Sequence, residues 1–383
     1  MPATHILYIS NQGLSLDGSD QMGLYLRRFS RDGYRCDLAC PRDLQKSALP
    51  AALQSGLHRV PGLAKAFGWR TIFSRVRTVR ALLQIVRTRG IHLVHSFNTR
   101  TTPYALAVAR QAGIPAIAQV RNAAGNPRHF VRCRIHRAHV VLTPAPSLRR
   151  QILELTEAQA PADREVLALP NAIDAGEYRR QGGAGDIRVE LGIEPDAPVV
   201  GVVSRFTPHK HPLQILEVAR LTAAVLPRVR FLFVGGFKDS LFERAVLARR
   251  DELGLGGSCR FLGHRSDPAR FYRGIDVLLH ASEREGHPKV FNEAMVFSRP
   301  IVAARAIGSI DVVEDGVNGL LAEPADAPGM AAALLKLLQS ADLRRQMGEA
   351  GRRRVETLYS PERVLGALAG VYGSVLGQSR AAG

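Results

Sequence analysis

The stretch Ser282-Glu283-Arg284-Glu285-Gly286-His287-Pro288-Lys289-Val290-Phe291-Asn292-Glu293-Ala294-Met295 decides how the chain reads. It follows an apolar run, Ile275–His280, of the length and branching expected of a buried strand. Gly286 provides a turn, and Pro288 can begin a helix because its missing N–H would be unpaired there anyway. Glu285 therefore falls in the loop at a strand end, and Glu293, eight residues later, lies about two helical turns along. That spacing lets one carboxylate face a sugar at the helix N-terminus. The other can accept hydrogen bonds from a more distant pair of hydroxyls.

Upstream, Ser204-Arg205-Phe206-Thr207-Pro208-His209-Lys210-His211 closes the expected strand Val199–Arg205 and precedes a helical stretch, Leu213–Leu226. Arg205 and Lys210 beside free backbone N–H groups would cradle a diphosphate; read blandly, they are two solvated loop charges. Val234-Gly235-Gly236 ends the next strand, with glycines where backbone and ligand can approach closely. The same alternation of short branched runs and helix-length segments extends through the chain. Strands are expected at His5–Ser10, Tyr34–Pro41, His92–Ser96, Pro115–Arg121, Val140–Thr143 and Val166–Pro170. They resume at Val199–Arg205, Arg230–Gly235, Arg260–Gly263, Ile275–His280, Ile301–Ala304 and Gly319–Ala322. This is the pattern of parallel sheets with helical crossovers. The break between the two sets, 176–198, contains Gln181-Gly182-Gly183-Ala184-Gly185 and reads as a linker between two doubly wound α/β domains.

Composition agrees with a two-domain globular protein: 383 residues, 46% hydrophobic and 22% charged, which excludes a disordered chain. No apolar run approaches the roughly 18 residues of a membrane span. The apolar stretch Ile6–Ile9 has no basic flank and reads as a first strand rather than a signal peptide. Cys36, Cys40, Cys133 and Cys259 are too scattered for a disulfide framework or a zinc site, so a reducing cytosolic compartment is expected. The net charge is +18, and its placement is uneven. Between Asp43 and Glu154 there is no acidic residue, while 18 basic ones run from Lys46 to Arg150. An anionic partner is implied: nucleic acid, an acidic membrane surface or a phosphorylated substrate. Within that stretch Trp69–Arg89 reads as a helix, with an apolar stripe of Ile72, Val76, Val79, Leu83 and Val86. Arg75, Arg77, Arg80, Gln84 and Arg87 lie away from the stripe. This is a surface helix packed on its sheet, or one whose arginine face, with Trp69 and Phe73 near its start, rests on anionic lipid headgroups.

The decisive stretch resembles the signature of retaining glycosyltransferase family 4, E-G-x-P-x-V-x-x-E-A-M followed by x-P-V-V-A, here continued by Arg299-Pro300-Ile301-Val302-Ala303. The family's R-x-x-x-x-K is matched by Arg205 and Lys210, and its E-V-V-x-D-G-x-x-G-L-L by the run from Asp311 to Leu321. Its P-N-G-I-D is similar to Pro170-Asn171-Ala172-Ile173-Asp174. The resemblance implies a GT-B fold, two Rossmann-like domains facing across a cleft. The acceptor-binding domain would be 1–175, the linker 176–198 and the donor domain 199–360, with a helix in 361–383 crossing back to the first domain. It implies a metal-independent, hexosyltransferase-type enzyme needing no cofactor, with a nucleotide-diphosphate sugar as donor. Arg205 and Lys210 would neutralise the diphosphate, and Glu293 would bind the ribose. Glu285 and the backbone around His287, Pro288, Lys289 and Val290 would hold the sugar, with Gly235 lining the nucleotide side. Gly18 and Ser19 stand where the family has an acceptor-side Gly-Gly loop. Consistently, no D-x-D occurs in the chain.

Some positions depart from the family. Arg121, on the acceptor side, stands where many members carry a histidine that contacts the donor sugar. It reads either as a substitute for that histidine or as binding a phosphate or an acidic sugar. Phe97 replaces the second histidine of an H-x-H, leaving His95, which reads as buried structure. Ala172 and Ile307 each replace a usual glycine. The expected activity is sugar transfer onto a lipid-linked or surface-polysaccharide or lipopolysaccharide precursor, at the inner face of the cytoplasmic membrane. A nucleotide-sugar epimerase on the same scaffold is the alternative. A nucleic-acid-binding role is disfavoured by the neutral C-terminal half and by the lack of any recognisable module.

Overall fold

The computed structural model describes residues 4–11, 20–41, 55–64, 72–123, 126, 128–156, 164–180 and 185–381. Its strands are β1 (His5–Ile9), β2 (Arg35–Cys40), β3 (Leu57–Arg59), β4 (Leu93–Ser96), β5 (Ala116–Gln119), β6 (Val140–Thr143) and β7 (Glu165–Ala168) in one sheet. A second sheet holds β8 (Val199–Val203), β9 (Arg230–Val234), β10 (Cys259–Phe261), β11 (Val277–His280), β12 (Ile301–Ala304) and β13 (Gly319–Ala322). Every pairing between these strands is parallel. The orders are β3-β2-β1-β4-β5-β6-β7 and β10-β9-β8-β11-β12-β13.

Central strands of such sheets are apolar on both faces because helices cover both. In β8, Val200 and Val202 join one core and Val199 the other. In β1, Ile6 and Tyr8 pack on one side, Leu7 and Ile9 on the other. The strand order reverses between β1 and β4 in the first sheet and between β8 and β11 in the second, and ligands of open α/β sheets bind beyond the carboxyl ends at such a point.

The chain divides into two units, residues 1–172 with 361–383, and 173–360. The helix Pro361–Ala381 completes the first unit: Val364, Leu365, Leu368, Tyr372 and Val375 are buried in its core. The Tyr372 hydroxyl lies 2.7 Å from His95 Nδ1 and 3.1 Å from the Tyr8 hydroxyl. His95 is fully buried, and burial brings its pKa down to about 3, so the ring is neutral and structural.

The structure corrects three expectations. The segment 176–198 is not a bare linker: it carries the helix Ile187–Glu190 and most of Ala175–Arg180, and Tyr178, Ile187, Ile193 and Ala197 are buried in the second unit. Arg188 fastens it, donating to Gly274 O and Ala197 O at 2.8 Å and pairing with Asp276. β3 was not anticipated; it is a three-residue edge strand, admitted because Gly56 lies where any Cβ would sit 2.6 Å from Cys36 O. Third, the helix Ile72–Arg89 packs inward on Val79, Leu83 and Val86 of the expected stripe, but its buried face is rotated away from Val76. Thr78, Leu82, Leu83 and Val86 are buried, whereas Val76 is 45% and Phe73 86% exposed, and Arg75 is half-buried. A Cβ on Gly62 would lie 1.8 Å from Thr78 Oγ1, so glycine lets that chain segment come close to the helix. Trp69 lies outside the described residues.

Candidate active site

Glu285 and Lys210, 75 residues apart in sequence, meet at the switch point of the second sheet. Lys210 ends a short turn, Pro208–Lys210, after β8, and Glu285 lies in the loop after β11. The Lys210 ammonium pairs with Glu285 Oε1, and His280 Nε2, at the end of β11, lies 2.9 Å from the same oxygen. Burial alone would push the Glu285 pKa up. The hydrogen bond with His280 and the charges of His280 and Lys210 outweigh it and bring the pKa down to about 2. Glu285 is thus a buried, ionised carboxylate with both described partners on one oxygen.

The loop holding it is braced from β12. Glu285 N–H donates to Ile307 O at 3.3 Å, and Gly308, at φ 82°, passes so close that a Cβ would sit 2.6 Å from Gly286 O. Pro288 is the N-cap of the helix Lys289–Val296, so the positive end of that helix opens onto the loop. His287 is buried, its Nε2 2.9 Å from Asn292 Oδ1 and its ring edge-on to Tyr359. Val290 is half-buried beside it. Glu293 is buried one helix face further on. Its Oε2 accepts a 2.8 Å hydrogen bond from the Tyr272 hydroxyl, and its Oε1 lies 3.6 Å from the Lys289 ammonium.

Arg205 is exposed just beyond β8. Its charge, with those of Lys210 and Arg284, bears on His209, whose pKa is lowered by burial first and by these cations next. Arg205, Lys210 and Arg284 thus bring positive charge to the loop ends of β8 and β11, beside the negative Glu285. Gly235 has a different reason to be glycine from the one expected. At φ 128°, its Cβ would lie 1.7 Å from Ser204 O, so the close neighbour is backbone.

On the first unit, Gly18 and Ser19 lie outside the described residues. Arg121 follows β5, and its guanidinium lies 4.5 Å over the Phe97 ring. The two departures at 97 and 121 are thus one stacked pair. Asp20, which caps the helix Gln21–Arg31, and Tyr25 act on the same guanidinium electrostatically. Sequence reasoning missed His280, Tyr272, Arg284 and the brace from Gly308. His280 and Tyr272 occupy a strand and a helix that read as plain core, and only the distances to Glu285 and Glu293 mark them.

Residues 184–354 match the family described as glycosyl transferases group 1. That range holds Arg205, Lys210, Glu285 and Glu293. The chain is 28% identical over 183 residues to the capsular polysaccharide biosynthesis glycosyltransferase CapM of Staphylococcus aureus, covering 47% of each chain. It is 31% identical over 178 residues to the lipopolysaccharide core biosynthesis glycosyltransferase LpsE of Rhizobium meliloti, covering 46% of this chain and 50% of the relative. The chain spans about half the length of the curated relatives it matches. The crystal structure of Anabaena Alr3699/HepE with UDP and glucose superposes with a TM-score of 0.79 at 20% identity, over 97% of this chain and 100% of that one. The fold is GT-B, built here from a seven-stranded and a six-stranded parallel α/β unit.

Proposed function

We propose that the chain is a metal-independent, retaining glycosyltransferase of family 4, moving a sugar from a nucleotide-diphosphate donor to a hydroxyl of a lipid-linked or cell-surface polysaccharide or lipopolysaccharide precursor. The observation that carries this reading is the Lys210–Glu285 pair at the carboxyl ends of β8 and β11. The UDP and glucose in the HepE structure and the surface-glycan names of CapM and LpsE support the donor and acceptor classes.

In this reading the donor diphosphate draws the Lys210 ammonium away from Glu285 and, with Arg205, is neutralised as the leaving group. Charge supplied there matters most as the bond from the sugar to the phosphate breaks. Glu285, still held by His280, then has its carboxylate free for the sugar hydroxyls. Glu293, oriented by Tyr272, takes the ribose. Arg121, stacked on Phe97 in the first unit, would meet an acidic group on the acceptor or on the donor sugar.

The reading includes work at the inner face of the cytoplasmic membrane. Among the described residues no helix is long and apolar enough to cross a membrane. The helix Ile72–Arg89 instead leaves Phe73, Val76, Arg77, Arg80 and Arg87 on one exposed face, joining apolar groups to arginines as an anionic leaflet requires.

Thermal shift and hydrolysis assays against UDP-, GDP- and ADP-sugars test the enzyme reading. One nucleotide diphosphate should raise the melting temperature, DNA and RNA should not, and chelator should leave turnover unchanged. A panel in which no nucleotide sugar binds would remove it. Flotation tests the membrane reading: binding should need anionic lipid, weaken with salt, and fall when Arg77 and Arg80 become glutamine.

A further inference from the structure

Arginines of the second unit mostly sit in carboxylate networks: Arg265 with Glu190 and Asp267, Arg228 with Glu194 and Asp196, Arg305 with Asp315 and Glu323. One feature of the first unit is built differently. A groove of about 740 Å³ runs along the helix Thr102–Ala112 and on past Gly113 to the start of β5. Pro103, Leu106 and Ala107 recur along its floor at helical spacing, and Ile114 extends the apolar surface. Arg75, Arg110, Arg134 and Arg137 line the same groove, and no carboxylate does. The sequence explains why: with no acidic residue between Asp43 and Glu154, none of the segments around the groove can supply a counter-charge.

Arg110, Arg134 and Arg137, exposed around one groove with no carboxylate in its lining, set up a positive potential there that an anion would meet. Arg134 sharpens the point. It holds a left-handed backbone, φ 55°, at the entry to the turn Ile135–Arg137. Glycine would meet that turn with less strain, so the turn alone gives no reason for arginine. Guanidinium groups suit phosphate because their paired N–H groups match two of its oxygens. The apolar floor, in turn, has nothing to offer an inorganic ion.

We propose that this groove binds the phosphate headgroup of an anionic membrane lipid, the arginines on the phosphate and the first methylenes lying along Pro103, Leu106 and Ala107. This deepens the membrane reading above and rests on it for the source of the lipid, while placing the lipid at a site separate from the exposed face of Phe73, Val76, Arg77 and Arg80.

The full chain is titrated with short-chain phosphatidylglycerol kept monomeric in solution, with short-chain phosphatidylcholine and glycerol phosphate as controls. Saturable binding of the phosphatidylglycerol is expected, at least about tenfold tighter than glycerol phosphate, with none of the phosphatidylcholine. Arg134→Gln combined with Arg137→Gln should loosen it about thirtyfold, two basic contacts at roughly fivefold each. Ala107→Glu, which sets a carboxylate on the groove floor, should abolish it while the melting temperature stays near that of the parent. Arg77→Gln with Arg80→Gln should reduce vesicle flotation yet leave short-chain binding unchanged. Flotation failing while short-chain binding persists would remove the membrane reading and keep the groove. Glycerol phosphate binding as tightly as the lipid overturns the lipid assignment. Binding that ignores Arg134, Arg137 and Ala107 overturns the site.

Discussion

Each unit buries one carboxylate among cations and histidines, and the two are bonded differently. In the first unit Asp37 of β2 takes His5 Nε2 at 3.0 Å on Oδ1 and His58 Nε2 at 2.8 Å on Oδ2, and Arg89 reaches both oxygens at 3.3 and 3.0 Å. In the second, Glu285 has Lys210 and His280 on Oε1 alone. Both carboxyls end at a pKa of about 2: burial pushes each up, and the neighbouring hydrogen bonds and charges win. Asp37 sits toward the amino ends of β1 and β2 with both oxygens consumed; Glu285 sits at the carboxyl end of β11 with one oxygen lacking a partner among the described residues. Ionisation at low pH thus does not tell the two carboxylates apart. The unspent oxygen and the end of the sheet do.

The widest gap between the two should appear on truncation. Asp37→Ala leaves Arg89 and two histidine rings without their acceptor, and should cost about 1–3 kcal/mol of stability by denaturant unfolding. Glu285→Ala also strands Lys210 and His280, but it should in addition depress turnover, with nucleotide affinity nearly intact. Turnover falling only in step with stability in both variants would erase the contrast. Next in size, Lys210→Ala or Arg205→Ala should lower kcat/KM by on the order of a hundredfold, because a charge used at the leaving group is lost. Near-normal turnover in the double variant would contradict the leaving-group role.

Glu293→Ala should weaken binding of the free nucleotide diphosphate, and Tyr272→Phe should do so by about tenfold, the value of one hydrogen bond to a charged group. Calorimetry that finds Glu285→Ala and Glu293→Ala equally damaging to nucleotide affinity would reject their division of labour. The last effect concerns acid. The folded pKa of Asp37 lies below its unfolded value of about 3.9, so its contribution is present above about pH 4 and fades as pH falls toward 2. That contribution is about 2.5 kcal/mol. Asp37→Asn should therefore flatten the stability of the first unit over that window, measured by fluorescence-monitored unfolding.

The architecture was largely legible because buried parallel strands announce themselves as short branched runs, and twelve of the thirteen did so. The exception, β3, is three residues at an edge, with too little pattern to read. Glu285, Glu293, Arg205 and Lys210 were legible as types at strand ends, but not the pairing of Lys210 with Glu285, since nothing local joins positions 75 apart. The buried face of the helix Ile72–Arg89 was legible at Val79, Leu83 and Val86 but not at Thr78, a polar residue whose close approach to Gly62 joins distant segments.

The helix Pro361–Ala381 has a consequence for how the protein comes off the ribosome. Phe29, Tyr34 and His95 of the first unit all have rings against Tyr372, yet the whole of 173–360 is made between them and that residue. At roughly 5–20 residues per second that is on the order of ten to forty seconds. The second unit can fold while the first still waits, its aromatic face uncovered, for a partner not yet translated. That wait ends only when Tyr372 is made and its ring covers Phe29, Tyr34 and His95.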